Sequence, residues 1–369
     1  MKKKDFAEAG ALYFIATLFN KGIGFVTVPI FSRILTTSDY GTVTTFNSWV
    51  SMISVFISLA LYNAVRNSFV DMDDKERPHF LSTIITFTGL VFLTVMGVCV
   101  VATVFVPRNI NTALIFMCII QSFGYALIND YSYYLMMRYR YKFRAALMVL
   151  PGLISVVLSI FAILFILKDN LYLGRIVPTT AVYGIFAIVL MAVYSKTKPE
   201  LNLDYLKYGL KIALPLVLHS IALQILSQSD RVMITSLRNA AETGVYSLVY
   251  NLSMIATVIT TSLDGIWVPW FTGKLKERKI REINVLAMDY VHLMTYAMVA
   301  LILVGPEILK IFADQRYWEG MSIIPPIALA NYMIFMYTMY VYIEHYYKKT
   351  VYITKNTLIA AGLNVILNF

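Results

Sequence analysis

Ten runs of apolar residues, at 11–34, 41–65, 80–106, 111–137, 145–167, 171–194, 208–236, 244–272, 286–312 and 320–346, take up almost the whole chain. Each meets the length of about 20 residues that a helix needs to cross a hydrocarbon core roughly 30 Å thick. The pattern predicts ten complete transmembrane helices with no soluble domain between them. An eleventh run starts near Asn356 and ends with Phe369. At about 1.5 Å per residue it reaches about 21 Å, short of a crossing, which leaves either a truncated chain or an incomplete last helix.

The first run is interrupted at its centre by Asn20 and Lys21. A charge near the bilayer midplane is costly, so Lys21 is expected to face a cavity, a partner or a substrate path.

The polar residues between the runs carry a second pattern, because every other connection is basic. Lys2–Lys4, Arg66–Arg77, Arg138–Arg144, Lys196–Lys211, Lys274–Arg281 and Lys348–Lys355 hold 22 of the 31 Lys and Arg residues. The opposite set holds eight: Arg33, Arg108, Lys168, Arg175, Arg231, Arg238, Lys310 and Arg316. By the positive-inside rule the N-terminus and the basic connections are cytoplasmic. The alternation runs through all ten predicted crossings, and a missed helix would scramble it downstream.

Composition agrees, with 59% hydrophobic residues, 14% charged residues and a mean hydropathy of +0.69. The net charge of +10 is accounted for by the cytoplasmic connections, and no nucleic-acid partner is implied. The opening MKKKDF has no small-residue cleavage pattern after it, so the first helix reads as a retained signal anchor. Cys99 and Cys118 lie inside apolar runs as small hydrophobes, and neither they nor the four histidines show metal-ligand spacing.

The longest linker, SKTKPELNLDYLK from Ser195 to Lys207, follows the sixth helix. Across it the stretch around Gly41, SDYGTVTTFNSWVSMISVFISLAL, echoes the stretch around Gly244, AETGVYSLVYNLSMIATVITTSL, 203 residues later. Each has an acidic residue shortly before the glycine, then Asn, Met-Ile and a β-branched run. Both segments descend from the outer to the inner face, as in a parallel repeat. The expected organisation is a six-helix N-terminal lobe over 1–195, a cytoplasmic linker over 196–207 and an incomplete C-terminal lobe over 208–369, with a central cleft between the lobes.

Several distributed motifs carry a family resemblance. NKGIGFVTVPIFSRILTTSDYG in helix one and its exit, ALPLVLHSIALQILSQSDRVMI in helix seven, the following Gly-Val-Tyr-Ser and the closing AAGLNVILNF resemble the Wzx-type polysaccharide flippases. That family lies within the superfamily of multidrug, oligosaccharidyl-lipid and polysaccharide exporters (MOP). The resemblance covers essentially the whole chain and implies an all-α polytopic membrane protein, a MATE-like two-lobe helical bundle. Members normally have twelve or fourteen helices, so a chain stopping in the eleventh departs from the pattern. The implied activity is translocation of an undecaprenyl-pyrophosphate-linked oligosaccharide across the bacterial cytoplasmic (inner) membrane by alternating access, for O-antigen, capsule or exopolysaccharide synthesis. Implied partners are the lipid-linked substrate, membrane lipid, a polysaccharide polymerase and a chain-length regulator. No cofactor is implied beyond coupling to H⁺ or Na⁺.

A diphosphate and its sugars need a polar, cationic path through a low-dielectric layer. Lys21 is a candidate phosphate contact or a structural partner of a helical carboxylate. Arg66 either receives the diphosphate at the entrance or anchors topology by snorkelling. Tyr250, Asn251 and Trp267 are candidate sugar contacts, against ordinary interfacial aromatics. Asp130 and Asp264 are candidates for ion coupling or for helix packing. Asp230 and Arg231 form a candidate ion pair closing an outer gate.

A drug or organic-cation exporter of the same superfamily is the first rival, and an acidic cavity would favour it. A membrane polysaccharide polymerase or acyltransferase is the rival from another class. The short external connections, none with a histidine, argue against it.

Overall fold

The computed structural model describes residue 23 and residues 25–103, 111–195, 200–347 and 350–368. Lys21, Arg108 and linker residues 196–199 lie outside them. The described chain is all helical. In order it forms α1 (Phe25–Ile34), α2 (Thr37–Ser58), α3 (Tyr62–Asp71), α4 (Glu76–Ala102), α5 (Thr112–Met137), α6 (Tyr141–Phe165) and α7 (Leu171–Ser195). Then come α8 (Leu203–Leu237), α9 (Ala240–Ser253), α10 (Ile255–Lys276), α11 (Ile280–Phe312), a 3-10 stretch (Gln315–Ile323), α12 (Ile324–Tyr346) and α13 (Thr350–Asn368). Among the described residues eight helical spans are long and apolar enough to cross a membrane, with α1 a shorter apolar helix. Large apolar side chains such as Val98, Leu303 and Leu367 stand on the outer surface. That exposure suits a lipid solvent.

Two expected helices are divided. The 41–65 run breaks after Ser58, where Leu59 and Ala60 adopt left-handed φ of 44° and 52° before α3 begins. Such a conformation costs an L-residue about 1–2 kcal/mol. It is held here by burial, since Ala60 and Leu61 are fully enclosed, and by Ala60 N–H donating to Ser58 Oγ at 3.3 Å. The 244–272 run is divided at Met254 into α9 and α10. The last run starts earlier than expected, so α13 has 19 residues.

The echo across the chain has a structural meaning. Thr36 and Asp39 form a reciprocal cap at the start of α2, with Asp39 N–H donating to Thr36 Oγ1 at 3.1 Å and Thr36 N–H to Asp39 Oδ2 at 3.3 Å. At α9, Glu242 N–H donates to Asn239 Oδ1 at 2.9 Å and Asn239 Nδ2 returns to Glu242 Oε1 at 2.9 Å. These are the acidic residues of the repeated motif, each two residues before its glycine, and each fixes a helix start four residues before that glycine. The two glycines then meet. A Cβ on Gly41 would overlap the Ala240 carbonyl, and one on Gly244 would overlap the Thr37 carbonyl. Residues 37, 39 and 41 correspond to 240, 242 and 244 at one separation, 203. The crossing of α2 and α9 is therefore two-fold symmetric.

Further contacts gather at that end of the bundle, which the charge pattern assigns to the outside. Arg316 reaches the Ser32 carbonyl at 3.3 Å, Arg33 reaches the Ile311 carbonyl at 3.3 Å and Tyr317 OH donates to the Thr36 carbonyl at 3.4 Å. Arg316 beside Asp314 holds that carboxyl below the usual range. One apolar cluster spans both halves of the chain there, with Val28, Phe31, Leu35 and Tyr40 on Leu248, Leu309, Tyr317 and Ile324. Toward the basic end the second half keeps its own cluster of Trp267, Phe271, Tyr290, Met294 and Phe335, which includes no first-half residue. Helix α8 straddles the halves. Its first turns lean on α3 and α4, with Tyr208 OH donating to Asp71 at 2.6 Å and Gly209 packed against Ile84, Leu61 and Phe80. Its far end packs on α9 and α13.

Replacing Gly41 or Gly244 by Val is expected to lower the thermal unfolding midpoint of the purified protein, an overpacking cost of about 1–3 kcal/mol. Gly97→Ala, at a position where a Cβ meets open space, is the matched control and should leave the midpoint in place. Equal midpoints for all three variants would contradict the crossing.

Candidate substrate cleft

Of two cavities, one is lined by residues of the first half of the chain and the other by residues of the second half. The first, about 270 Å³, is lined by Ile23 and Thr27, by Asn47 and Ser51 of α2, Gln121 and Tyr125 of α5, Ser155 of α6, and Arg175, Thr179 and Tyr183 of α7. At Gly174 the absence of a side chain lets α7 close on Ile163 of α6. That approach carries Arg175 inward. Its guanidinium donates to Ser159 Oγ at 3.1 Å and the Ser155 carbonyl at 3.3 Å, and lies 4.5 Å from the Phe31 ring centroid. A chain of neutral polar groups continues from it, Thr180 Oγ1 donating to Gln121 Oε1 at 3.1 Å and Gln121 Nε2 to Asn47 Oδ1 at 3.5 Å.

On the other side of the seam Arg231 of α8 is buried, 7% exposed, and donates to the Ser227 carbonyl at 2.8 Å and Gln228 Oε1 at 3.3 Å. It stands 4.7 Å over the Tyr250 ring. Ser48 of α2 donates to the same Gln228 oxygen at 3.0 Å, so the arginine's support is shared between halves. Next to Tyr250, Asn251 Nδ2 donates to Tyr40 OH of α2 at 3.3 Å, a second contact shared between the halves. Among the described residues neither Arg175 nor Arg231 pairs with a carboxylate. Two cations held only by neutral acceptors and aromatic faces leave positive potential in the seam, which suits an anion.

The second cavity, about 240 Å³, is lined by Tyr250, Thr257, Thr260, Asp264, Asn331, Phe335, Thr338 and Tyr342. Asp264 accepts from Tyr290 OH at 3.4 Å and from Tyr342 OH. Thr257 Oγ1 donates to Asn331 Oδ1 at 3.3 Å, and Asn331 Nδ2 to the Ile327 carbonyl at 2.9 Å.

The sequence candidates separate on this geometry. Tyr250 and Asn251 sit at the seam and Asp264 in the second cavity. Lys21 is outside the described residues, although Ile23, two residues on, lines the first cavity. Arg66 is exposed on α3. Trp267 is buried among Trp270, Phe271 and Tyr290 and lines neither cavity. Asp130 is fully buried, accepts from Thr88 Oγ1 at 3.5 Å and from the Tyr62 backbone N–H, and leaves Oδ1 without a protein partner among the described residues. It thus caps α3 from the neighbouring helix at the point where the 41–65 run breaks.

The expected Asp230–Arg231 ion pair is not formed. Successive residues of a helix point about 100° apart. Asp230 turns instead toward Tyr246 OH at 2.8 Å, Asn368 Nδ2 at 2.9 Å and Asn364 Nδ2 at 3.4 Å, and so docks α13 on α8. Arg175, counted at first with the outer connections, is the residue that sequence reasoning missed. Its signal was its place within the 171–194 run, the same argument that singled out Lys21.

The family profile of polysaccharide biosynthesis proteins matches residues 6–273, most of the chain. The chain belongs to that family. Protein 1 of the Lsg locus of Haemophilus influenzae is 21% identical over 281 residues, 73% of this chain and 66% of its own length, so the chain spans just under two thirds of that relative. Among solved structures, an inward-facing multidrug resistance MATE family transporter of the MOP superfamily has a TM-score of 0.58 at 13% identity, covering 95% of this chain and 88% of that one. A MOP superfamily transporter from Pyrococcus furiosus, described as having a binding pocket of reverse polarity, has a TM-score of 0.51 at 12% identity, covering 98% and 94%. These likenesses establish a MATE-like fold.

Removing the acceptor that docks the last helix should loosen it. Asp230→Ala is expected to cost about 1 kcal/mol through the lost hydrogen bonds from Tyr246, Asn364 and Asn368 and to raise amide exchange across Thr350–Asn368. Unchanged exchange there would show that α13 is held by other contacts.

Proposed function

We propose that this member of the polysaccharide biosynthesis family is a flippase for undecaprenyl-pyrophosphate-linked oligosaccharide units, embedded in the bacterial cytoplasmic membrane with its N-terminus inside. The observation that carries the reading is the pair Arg175 and Arg231, one from each half of the chain and unmatched by carboxylates among the described residues. A cation buried in a membrane bundle without a counter-ion is costly, and an anionic cargo repays that cost. The diphosphate would lie along the seam between the two arginines while the polyprenyl chain stays in lipid.

In this reading the lobes are 1–195 and 208–369, joined by the 196–207 linker. They rock about the α2–α9 crossing, and the lack of first-half residues, among the described residues, in the second half's basic-end cluster supports a cleft open toward the cytoplasm. Lys21, two residues before Ile23 in the sequence, would add a third cation. Asp130 and Asp264 are the carboxylates available for H⁺ or Na⁺ coupling. A polymerase and a chain-length regulator would take the exported unit. Export of organic cations draws on Asp264, but the two arginines would repel such a cargo at the seam.

The test is complementation of flippase-null bacteria that make a matching repeat unit, reading surface polysaccharide. Loss of one charge-assisted contact is worth about 1.5–3 kcal/mol, or roughly 10- to 100-fold in affinity. Arg175→Ala and Arg231→Ala, and likewise Lys21→Ala, are expected to reduce export at least tenfold with membrane insertion intact. Arg175→Lys should retain part of it. Full export by the alanine variants would remove the diphosphate from the seam.

A further inference from the structure

The two cavities differ in the sign of their charge. The first carries Arg175, and the second carries Asp264 with neutral amide and hydroxyl groups. In a low-dielectric interior a carboxylate repels a diphosphate strongly, so the phosphates are excluded from the second cavity. Polar residues inside a membrane bundle nevertheless mark a pathway or a ligand, because they are otherwise costly. The lining of that cavity is therefore built for a neutral part of the cargo.

Its chemistry is that of sugar recognition. A pyranose ring has hydroxyl donors around its rim and C–H bonds on its faces. Asp264 supplies carboxylate acceptors, Asn331 and Thr338 supply neutral polar groups, and Tyr250, Phe335 and Tyr342 supply aromatic walls. A cavity of about 240 Å³ has room for a sugar ring, far more than a monovalent cation requires. Tyr250 belongs to both sites, since its ring lies under Arg231 and also lines the second cavity. A group that leaves the arginine seam passes Tyr250 before it meets Asp264.

We propose that the Asp264 cavity recognises the sugar next to the diphosphate, with Tyr250 as the partition between them. The inference rests on the flippase reading and adds a selectivity pocket to it. Cargo choice is then made by this first sugar, and the rest of the repeat unit stays outside the pocket.

The probes are undecaprenyl diphosphate without sugar and a set of undecaprenyl-diphosphate monosaccharides bearing glucose, galactose, N-acetylglucosamine or N-acetylgalactosamine. Binding to the full chain in nanodiscs is measured for each by native mass spectrometry. Wild type should bind at least one glycosylated probe ten times more tightly than the bare diphosphate. Asp264→Asn, which keeps an acceptor for the tyrosines, should bring that ratio near one. Thr338→Met, which fills the cavity without touching the carboxylate, should do the same, and Glu307→Gln on the exposed end of α11 should keep the preference. Arg175→Ala should weaken bare and glycosylated probes alike. A sugar preference that survives both cavity variants, no preference in wild type, or an effect of Asp264→Asn that follows Na⁺ concentration and not the sugar would each overturn the pocket. Failure of wild type to bind even the bare diphosphate would overturn the flippase reading itself.

Discussion

The molecule depends on one close approach, that of α2 and α9 at Gly41 and Gly244. Each glycine lies against a carbonyl of the other helix, Ala240 and Thr37, and any side chain there would force the helices apart. Small residues let membrane helices approach closely where no hydrophobic drive separates protein from solvent. Around this crossing the α1 and 3-10 contacts close one end of the bundle, and the arginine seam lies beside it. Tyr40 is the neighbour of Gly41, so the residue that receives the Asn251 hydrogen bond is placed by the same crossing.

Electrostatics follow from that geometry. The halves bring one arginine each to a common seam, Arg231 buried and Arg175 partly so, and both are held by carbonyls, side-chain oxygens and rings instead of acids. Carboxylates are kept elsewhere and given other partners. Asp230 fastens α13, Asp130 caps α3, and Asp264 is hydrogen-bonded by two tyrosines. Separating the signs in this way preserves the positive seam, which an ion pair would have neutralised.

Much of this was legible in the sequence, and the reasons for the remainder are specific. Hydropathy set most spans to within a few residues because lipid imposes helix length directly. The 203-residue echo was visible because capping and close packing demand particular residue types, an acid and a glycine, at a fixed spacing. The break at Leu59 and Ala60 was invisible, since neither residue is a helix breaker and the cap that stabilises it, Asp130, comes from a helix about 70 residues away in sequence. Asp230 and Arg231 looked like a pair because they are adjacent, whereas helical geometry turns them to different neighbours. Trp267 showed only that it was aromatic, and its burial depends on packing that no local pattern encodes.

The crossing has one more property. Thr37 meets Gly244 as Ala240 meets Gly41, so the contact is self-complementary in the manner of an isologous interface between identical subunits. A chain of half the length carrying a single copy of the segment would already possess both sides of it. Duplication and fusion of such a dimer-forming ancestor would yield the present arrangement, and after fusion the two seam-lining surfaces were free to diverge. The present cavities, one with an arginine and the other with a carboxylate, carry an asymmetry that a homodimer could not hold.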